Sequence, residues 1–403
     1  MNPFPPLRYV DAVPMEHEGA QIYFLKDPLG YVEEPAVLSS AAFFIAACLD
    51  GKSTARTIQR GFAAEFGGAP PHREEIEQVV AFLDERGYLA SPQFEAIRQR
   101  VEAEFRDAPA RPAYFAGKSY PSDPEDLREM LDACLLRGKA TDTQEKDCLK
   151  GLVVPHIDYQ RGGHVYATGY QALASQEQPD VVIIFGVAHA GAGVPFVLTR
   201  KGFETPFGTL QTETGMVDAL AEACDWDPYA WEIVHRTEHS IEFQATMLSY
   251  LFGPQIRIVP ILCAAFSENP HHAPSEIPGV EQFLARCREL VAESDMKITV
   301  LAAADLAHVG RSFGDDFELD EAIMSRIRAR DMEDLGWVTA CAPEAFYAAV
   351  MQDQNARRVC GLGCIYAALK SVEGSINNAE LLHYDSAPDP AGGIVSFAAL
   401  RLQ

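Results

Sequence analysis

The sequence predicts an α/β fold, a three-layer α/β/α domain preceded by a small winged-helix-like domain. Three observations predict it. From about residue 150 onward, strand-like apolar runs alternate with segments of helical period. Runs such as Val181-Val182-Ile183-Ile184-Phe185 are apolar throughout, as expected of strands covered on both faces. The first 107 residues instead carry three short helical periods flanked by strand-like pieces. The expected domains are therefore 1–107 and 108–403.

In the first domain, residues 21–25 and 30–32 read as short strands around the Asp27-Pro28 turn. Ser39 or Ser40 is a suitable N-cap for a helix presenting Phe43, Phe44, Ala47 and Cys48, which Gly51 ends. Ser53 or Thr54 caps a second helix bearing Ile58, Phe62 and Phe66. Ile76, Val79, Val80 and Leu83 recur at the spacing of one face of a third. Gly87-Tyr88-Leu89 is the expected start of a short wing. A charged helix over 92–111, with Phe94, Ile97, Val101 and Phe105 on one face, runs into a proline-rich linker at 108–112.

The second domain opens with a helix over 125–136, capped at Asp123-Pro124, followed by a polar stretch at 138–147. Strands are expected at 151–155, 181–186, 194–199, 256–262, 297–304 and 393–400, and the sheet is expected to be mainly parallel. Helices are expected at 163–174, 213–224, 240–252, 279–293, 318–329, 343–351 and 361–371. Gly162-Gly163 and Gly191-Ala192-Gly193 form neither a dinucleotide fingerprint nor a phosphate-binding loop.

Composition narrows the function classes. The net charge is −25, from 58 acidic and 33 basic residues, with no basic cluster, which argues against nucleic acid and anionic membrane as partners. The helices of the first domain carry both signs of charge and no basic stripe, so DNA binding is not expected there. Nine scattered cysteines, an odd number without a CxxC pair, point to reduced thiols and a cytoplasmic setting. The start of the chain lacks the pattern of a signal peptide, and no apolar run is long enough to span a bilayer.

The chemistry concentrates at strand ends. Residues 151–154 lead to Pro155-His156, 181–185 to Gly186-Val187-Ala188-His189, and 300–304 to Asp305-Leu306-Ala307-His308. The carboxyl edge of an open α/β sheet is where ligands bind. Each histidine alone can be a core or surface residue; two in the same strand-end setting make a ligand pair. Asp305 can orient a histidine, act as a base or bind metal, since a buried carboxylate needs a partner. Glu238-His239-Ser240-Ile241-Glu242 opens a helix, either as a cap or as a histidine poised for proton transfer. Cys360 precedes a helix, where a lowered thiol pKa would favour thiolate as a metal ligand or nucleophile; Cys364 is an inward core residue or a second thiol. Two histidines and a cysteine from separate strand ends would form an open three-ligand site for zinc, copper or ferrous iron.

These motifs resemble one family. Residues 111–121 (Arg-Pro-Ala-Tyr-Phe-Ala-Gly-Lys-Ser-Tyr-Pro), Pro155-His156, Gly186-Val187-Ala188-His189, Glu204-Thr205-Pro206-Phe207-Gly208, the 238–242 segment, Asp305-Leu306-Ala307-His308 and Val359-Cys360-Gly361 follow the order of the Memo family, known in bacteria as AmmeMemoRadiSam system protein B. The family is similar in fold to class III extradiol (LigB-type) dioxygenases. The resemblance implies a metal pocket lined by His156, His189 and Cys360, with His239, Asp305 and His308 as catalytic residues nearby. It also implies a radical-SAM protein and an AMMECR1-domain protein as partners. Two departures stand out: Asp158 after His156 is a further candidate carboxylate, and Leu362-Gly363-Cys364 replaces the Arg-His usual after Cys360-Gly361. The first domain resembles PqqD-like peptide-recognition modules through Leu49-Asp50-Gly51, Ile58, residues 79–83 and Gly87-Tyr88-Leu89, which implies a peptide ligand. The expected function is that of a metal-dependent, oxidoreductase-like enzyme; the alternative is a non-catalytic metal-binding scaffold of a radical-SAM pathway.

Overall fold

Short polar caps and glycine stops cut the chain into the elements of a computed structural model that describes residues 3–138, 148–266 and 273–403. The polar stretch at 138–147 lies, beyond Gly138, outside the described residues. Two compact units result, Met1–Ala108 and Pro109–Gln403.

The first unit begins with an antiparallel sheet of β1 (Asp11–His17), β2 (Ala20–Lys26) and β3 (Ala36–Ser39), followed by α1 (Ser40–Ala47), α2 (Ala55–Phe66), α3 (Arg73–Glu85) and α4 (Pro92–Asp107). Ser39 caps α1 through Ala42 N, and Thr54 caps α2. The core gathers Leu25, Leu38, Ile45, Ile58, Ile76, Leu83 and Tyr88. Four expectations are corrected. Residues 30–32 are not a strand. The face α1 buries is Ile45–Ala46 rather than the phenylalanine face, with Phe43 and Phe44 half-buried and Ala47 exposed. Residues 87–89 open no wing: Leu89 makes a single bridge to Leu7, and the Tyr88 hydroxyl is sunk among Leu25 O, Glu34 O and Ala36 N. Ser91 then caps α4 at once, and α4 stops at Asp107 rather than 111.

The second unit continues with β4 (Ala110–Arg111), α5 (Pro124–Leu135), β5 (Gly151–Val154), α6 (Tyr159–Ala174), β6 (Val181–Val187), β7 (Phe196–Leu198), β8 (Gly202–Thr205), β9 (Gly208–Thr212), α7 (Thr214–Ala221), α8 (His239–Phe252) and β10 (Arg257–Cys263). It ends with α9 (Pro278–Glu293), β11 (Ile298–Ala303), β12 (Asp305–Gly310), α10 (Glu321–Thr339), α11 (Pro343–Met351), α12 (Leu362–Ser371), β13 (Ala379–Asp389) and β14 (Gly393–Leu402). One mixed sheet runs β12-β14-β5-β11-β6-β10-β9-β8-β4, with β13 on β14 and β7 on β10. The four central strands, β5, β11, β6 and β10, are parallel, as are β9 on β10 and β4 on β8, whereas β7, β8 against β9, and the β12–β13–β14 flank pair antiparallel. "Mainly parallel" therefore holds from β5 to β9, and the sheet as a whole is mixed. Helices α5, α6 and α8 cover one face and α7 with α9–α12 the other, giving the three-layer α/β/α arrangement.

The central strands are apolar on both faces, and all of their residues but Arg257 and Val187 are buried. Their order in space, β5-β11-β6, differs from their order in sequence, because β11 inserts between two earlier strands. Ala303 is in register with Val154, and Ala302 with Phe185, so three chain segments leave the sheet side by side. Such a crossing is the place where α/β sheets open a ligand crevice.

Candidate metal centre

The residue after each of these strands sets the site. Pro155 follows β5 and turns the chain so that His156 projects over the end of β11, where it is 1% exposed. Its backbone N–H donates to Asp305 Oδ1 at 3.0 Å, and its Nδ1 donates to Ala303 O at 2.9 Å. A carbonyl oxygen can only accept, so the neutral ring leaves Nε2 as a lone pair. Nε2 faces Cys360 Sγ at 3.3 Å, with Asp305 Oδ2 at 3.6 Å.

His189 follows β6. Its backbone N–H and Nδ1 both donate to the Glu238 carboxylate, at 3.0 Å each. Glu238 is the N-cap of α8, accepting from Ser240 N at 2.9 Å, and that helix end is pinned to β6 through Ser240 Oγ and Val187 N at 3.0 Å. Burial opposes charge on the His189 ring, but the Glu238 carboxylate prevails and raises its pKa to about 9. Glu238 is itself buried, yet the His189 and His239 rings hold it well below the usual carboxylate range. A cation at His189 Nε2 would displace the proton that this pairing favours.

Cys360 arrives from the opposite helical layer. Gly361 N–H donates to Asp305 O at 3.0 Å, and a Cβ on Gly361 would overlap Ala304 and come within 2.6 Å of Asp305 O. The absence of a side chain there lets the Cys360 loop sit against the end of β11. The expected thiolate is corrected: burial pushes the Cys360 thiol up to about 11, despite the neighbouring His189. Gly361, not Cys360, is the N-cap of α12, so the thiol gains too little from the helix terminus to offset its desolvation. A bound cation would reverse that balance.

His156, His189 and Cys360 thus come together, each offering one donor atom, all within 4.8 Å of one another. They could hold one metal ion. His239 stacks on His189 at 4.7 Å between ring centres and meets His156 edge-on at 5.3 Å. Its Nδ1 lies 3.2 Å from Glu238 Oε1, and burial lowers its pKa to about 3. His308, on β12, turns Nδ1 to Leu306 O and Arg358 O, at 3.1 and 3.2 Å, and burial lowers its pKa as well. Both rings are therefore neutral acceptors at neutral pH. With Asp305, they line a cavity of about 320 Å³ at His156 and His189, walled by Phe115, Phe243 and Phe313.

The remaining candidates fall outside the donor set. Asp158 caps α6 through Arg161 N and pairs with the Arg161 guanidinium, which occupies the carboxylate expected as a partner of His156. Cys364 is fully buried beside Cys263 in the core, one helical turn past the site.

Sequence reasoning read Glu238 and Glu242 only as capping residues. Glu242 anchors the 111–120 segment: the Arg111 guanidinium, Tyr120 hydroxyl, Tyr114 N and Phe115 N all donate to it. Arg111 also donates to His235 O and Glu238 O, both at 2.8 Å. This fully buried pair fixes the start of α8 and brings Phe115 to 5.7 Å from His239. The recurrence of Glu at 238 and 242, one at the cap and one in the first turn of a helix, was the available signal.

The sequence profile of Memo-like proteins matches residues 111–400. A MEMO1 family protein of Aquifex aeolicus is 25% identical over 98% of this chain and 99% of its own length, and so spans both units. MEMO1 family proteins of Methanococcoides burtonii and Methanopyrus kandleri are 32% and 29% identical, each over 71% of this chain and 97% and 96% of their own lengths. Among the described residues, no helix is long and apolar enough to cross a membrane. A match running from the Arg111 anchor to β14, through every strand end that supplies the pocket, shows that this chain belongs to the Memo-like protein family.

Proposed function

We propose that this chain is a metal-dependent, oxidoreductase-like enzyme in which His156 Nε2, His189 Nε2 and Cys360 Sγ hold one divalent iron, copper or zinc ion. The observation that carries this reading is the fixed orientation of both rings. Each directs Nδ1 to a set acceptor, Ala303 O or Glu238, and so turns Nε2 toward the thiol. Carboxylate- and carbonyl-oriented imidazoles of this kind are typical of metal ligands. Two imidazoles and a thiol suit borderline and soft ions, and three protein donors leave coordination positions open.

The ion, when bound, would supply Lewis-acid or redox activation to a small molecule. The chain's own residues have distinct tasks. His239 is neutral, with Nδ1 3.2 Å from Glu238 Oε1, and its ring would accept a hydrogen bond from a phenol-like hydroxyl in the cavity. His308 Nε2 is a second acceptor on the same cavity. Asp305 positions His156 through its backbone N–H. Phe115 and Phe243 suit a flat ring and exclude water from it. The nine free thiols support a cytoplasmic setting. A radical-SAM protein and an AMMECR1-domain protein are the proposed partners, with a peptide as the proposed ligand of the first unit, all on the strength of family resemblance.

The test is oxygen uptake by anaerobically iron-loaded protein given catechol-type substrates. Uptake that is lost in His239→Ala at unchanged metal content is the expected result. Bound iron without uptake would overturn the enzymatic reading in favour of a metal-holding scaffold.

A further inference from the structure

We infer that the second unit carries another metal site, formed by His164 on α6 with His383 and Asp385 on β13, for a single divalent ion of zinc type. None of the three lines the cavity described above, so this site is independent of the proposed function. Their donor atoms lie within 4.8 Å of one another. Two imidazoles and one carboxylate are a common zinc donor set, with the fourth position left to water.

The backbone is shaped to bring them together. Strand β13 pairs with β14 with a register shift between Leu381 and His383, the mark of a bulge. Leu381 packs into the main core, whereas Leu382 packs with Val165 and Phe397 on the α6 side. Beyond the bulge, His383 meets Thr168 of α6, Tyr384 turns away to Asp331 of α10, and Asp385 returns to His164. Simple alternation from Leu381 would have sent His383 and Asp385 to the α10 side.

Hydrogen bonds then orient the donors. Thr168 Oγ1 donates to His164 O at 3.0 Å and so accepts from His383 Nδ1 at 3.1 Å, which holds the His383 ring beside α6. Ser386 N–H holds Asp385 Oδ1 at 2.8 Å, which frees Oδ2 to meet His164 Nε2 at 2.7 Å. The two imidazoles sit 5.3 Å apart between centres, and the fully buried Phe397 ring lies 6.2 Å from His164. An ion would replace the proton shared by His164 and Asp385. The Asp385 side chain, 48% exposed, is free to open the small extra gap this needs.

Cobalt(II) titration of the full-length protein tests the site, because the two centres differ in sulfur. Cobalt bound with Cys360 gives a thiolate charge-transfer band; cobalt at His164, His383 and Asp385 gives only ligand-field bands. The expected result is two equivalents bound by wild type. His383→Gln and Asp385→Asn should each lose one equivalent while keeping the charge-transfer band, which also reports that the variant is folded. Zinc should compete at both sites. Wild type binding no equivalent without the charge-transfer band, or such an equivalent persisting in both variants, would overturn the proposal. Loss of the charge-transfer band in Cys360→Ser would leave the second equivalent in place, and loss of both together would count against two independent sites.

Discussion

The two histidine clusters of the second unit are assembled in opposite ways. His156, His189 and Cys360 come from three distant segments that meet at one crossing in the sheet, with His156 1% exposed, Cys360 half-buried and the His189 side chain 36% exposed toward the cavity. His164, His383 and Asp385 need only one helix and one strand, and His164 is 24% and Asp385 48% exposed. The first cluster depends on structure far from it: the Arg111–Glu242 pair, the α8 cap and the Gly361 contact all set its geometry. The second is shaped locally, by the bulge in β13 and the contact of His383 with Thr168. Burial raises the cost of misplacing a donor, because a desolvated polar group must keep its partner. The deep site should therefore respond to remote substitutions and the shallow one only to local changes.

The largest effect should follow Arg111→Met. It leaves Glu242 buried without its counter-charge and should cost about 3–5 kcal/mol in chemical denaturation. The charge-transfer signal of the deep site should weaken as α8 loses its anchor, while cobalt at the shallow site is retained. Gly361→Ala comes next. The added Cβ overlaps Ala304 and must push the Cys360 loop outward, at about 1–3 kcal/mol. Loss of the thiolate band with the second equivalent intact is the expected spectrum. Glu238→Gln removes the carboxylate that orients His189 and should weaken metal at the deep site by about 10–100-fold, measured by chelator competition. Equal loss at both sites in any of these variants would break the contrast between them. The smallest effect belongs to Thr168→Val, which removes one hydrogen bond that orients the His383 ring and should lower affinity at the shallow site by up to about tenfold, with none at the deep one.

The ends of β5, β6 and β11 were legible because apolar runs covered on both faces stop abruptly at polar residues. The same logic put His156, His189 and Asp305 at one edge. Other parts lacked such a signal. β12 begins at Asp305, the residue that appeared to end the preceding strand, since a buried carboxylate interrupts an apolar pattern without ending the sheet. β13 carries Glu380, His383, Asp385 and Pro388 and shows no alternation, because its bulge breaks the period of two. α10 runs to Thr339 rather than 329 because Asp331 and Asp334 are buried against Arg357, and paired charges on a core-facing side hide the helical stripe. β1 is exposed along its whole length and so has no buried face to mark it. The Cys360 thiol was misread for a related reason: position before a helix is visible in sequence, whereas desolvation is set by the tertiary packing around it.

The central claim is that His156, His189 and Cys360 bind a common ion. Elemental analysis of protein purified without oxygen, in a His383→Gln background that silences the shallow site, tests it most directly. Adding His156→Ala and His189→Ala should remove the remaining metal from folded protein. Equal metal content in the two preparations would contradict the account.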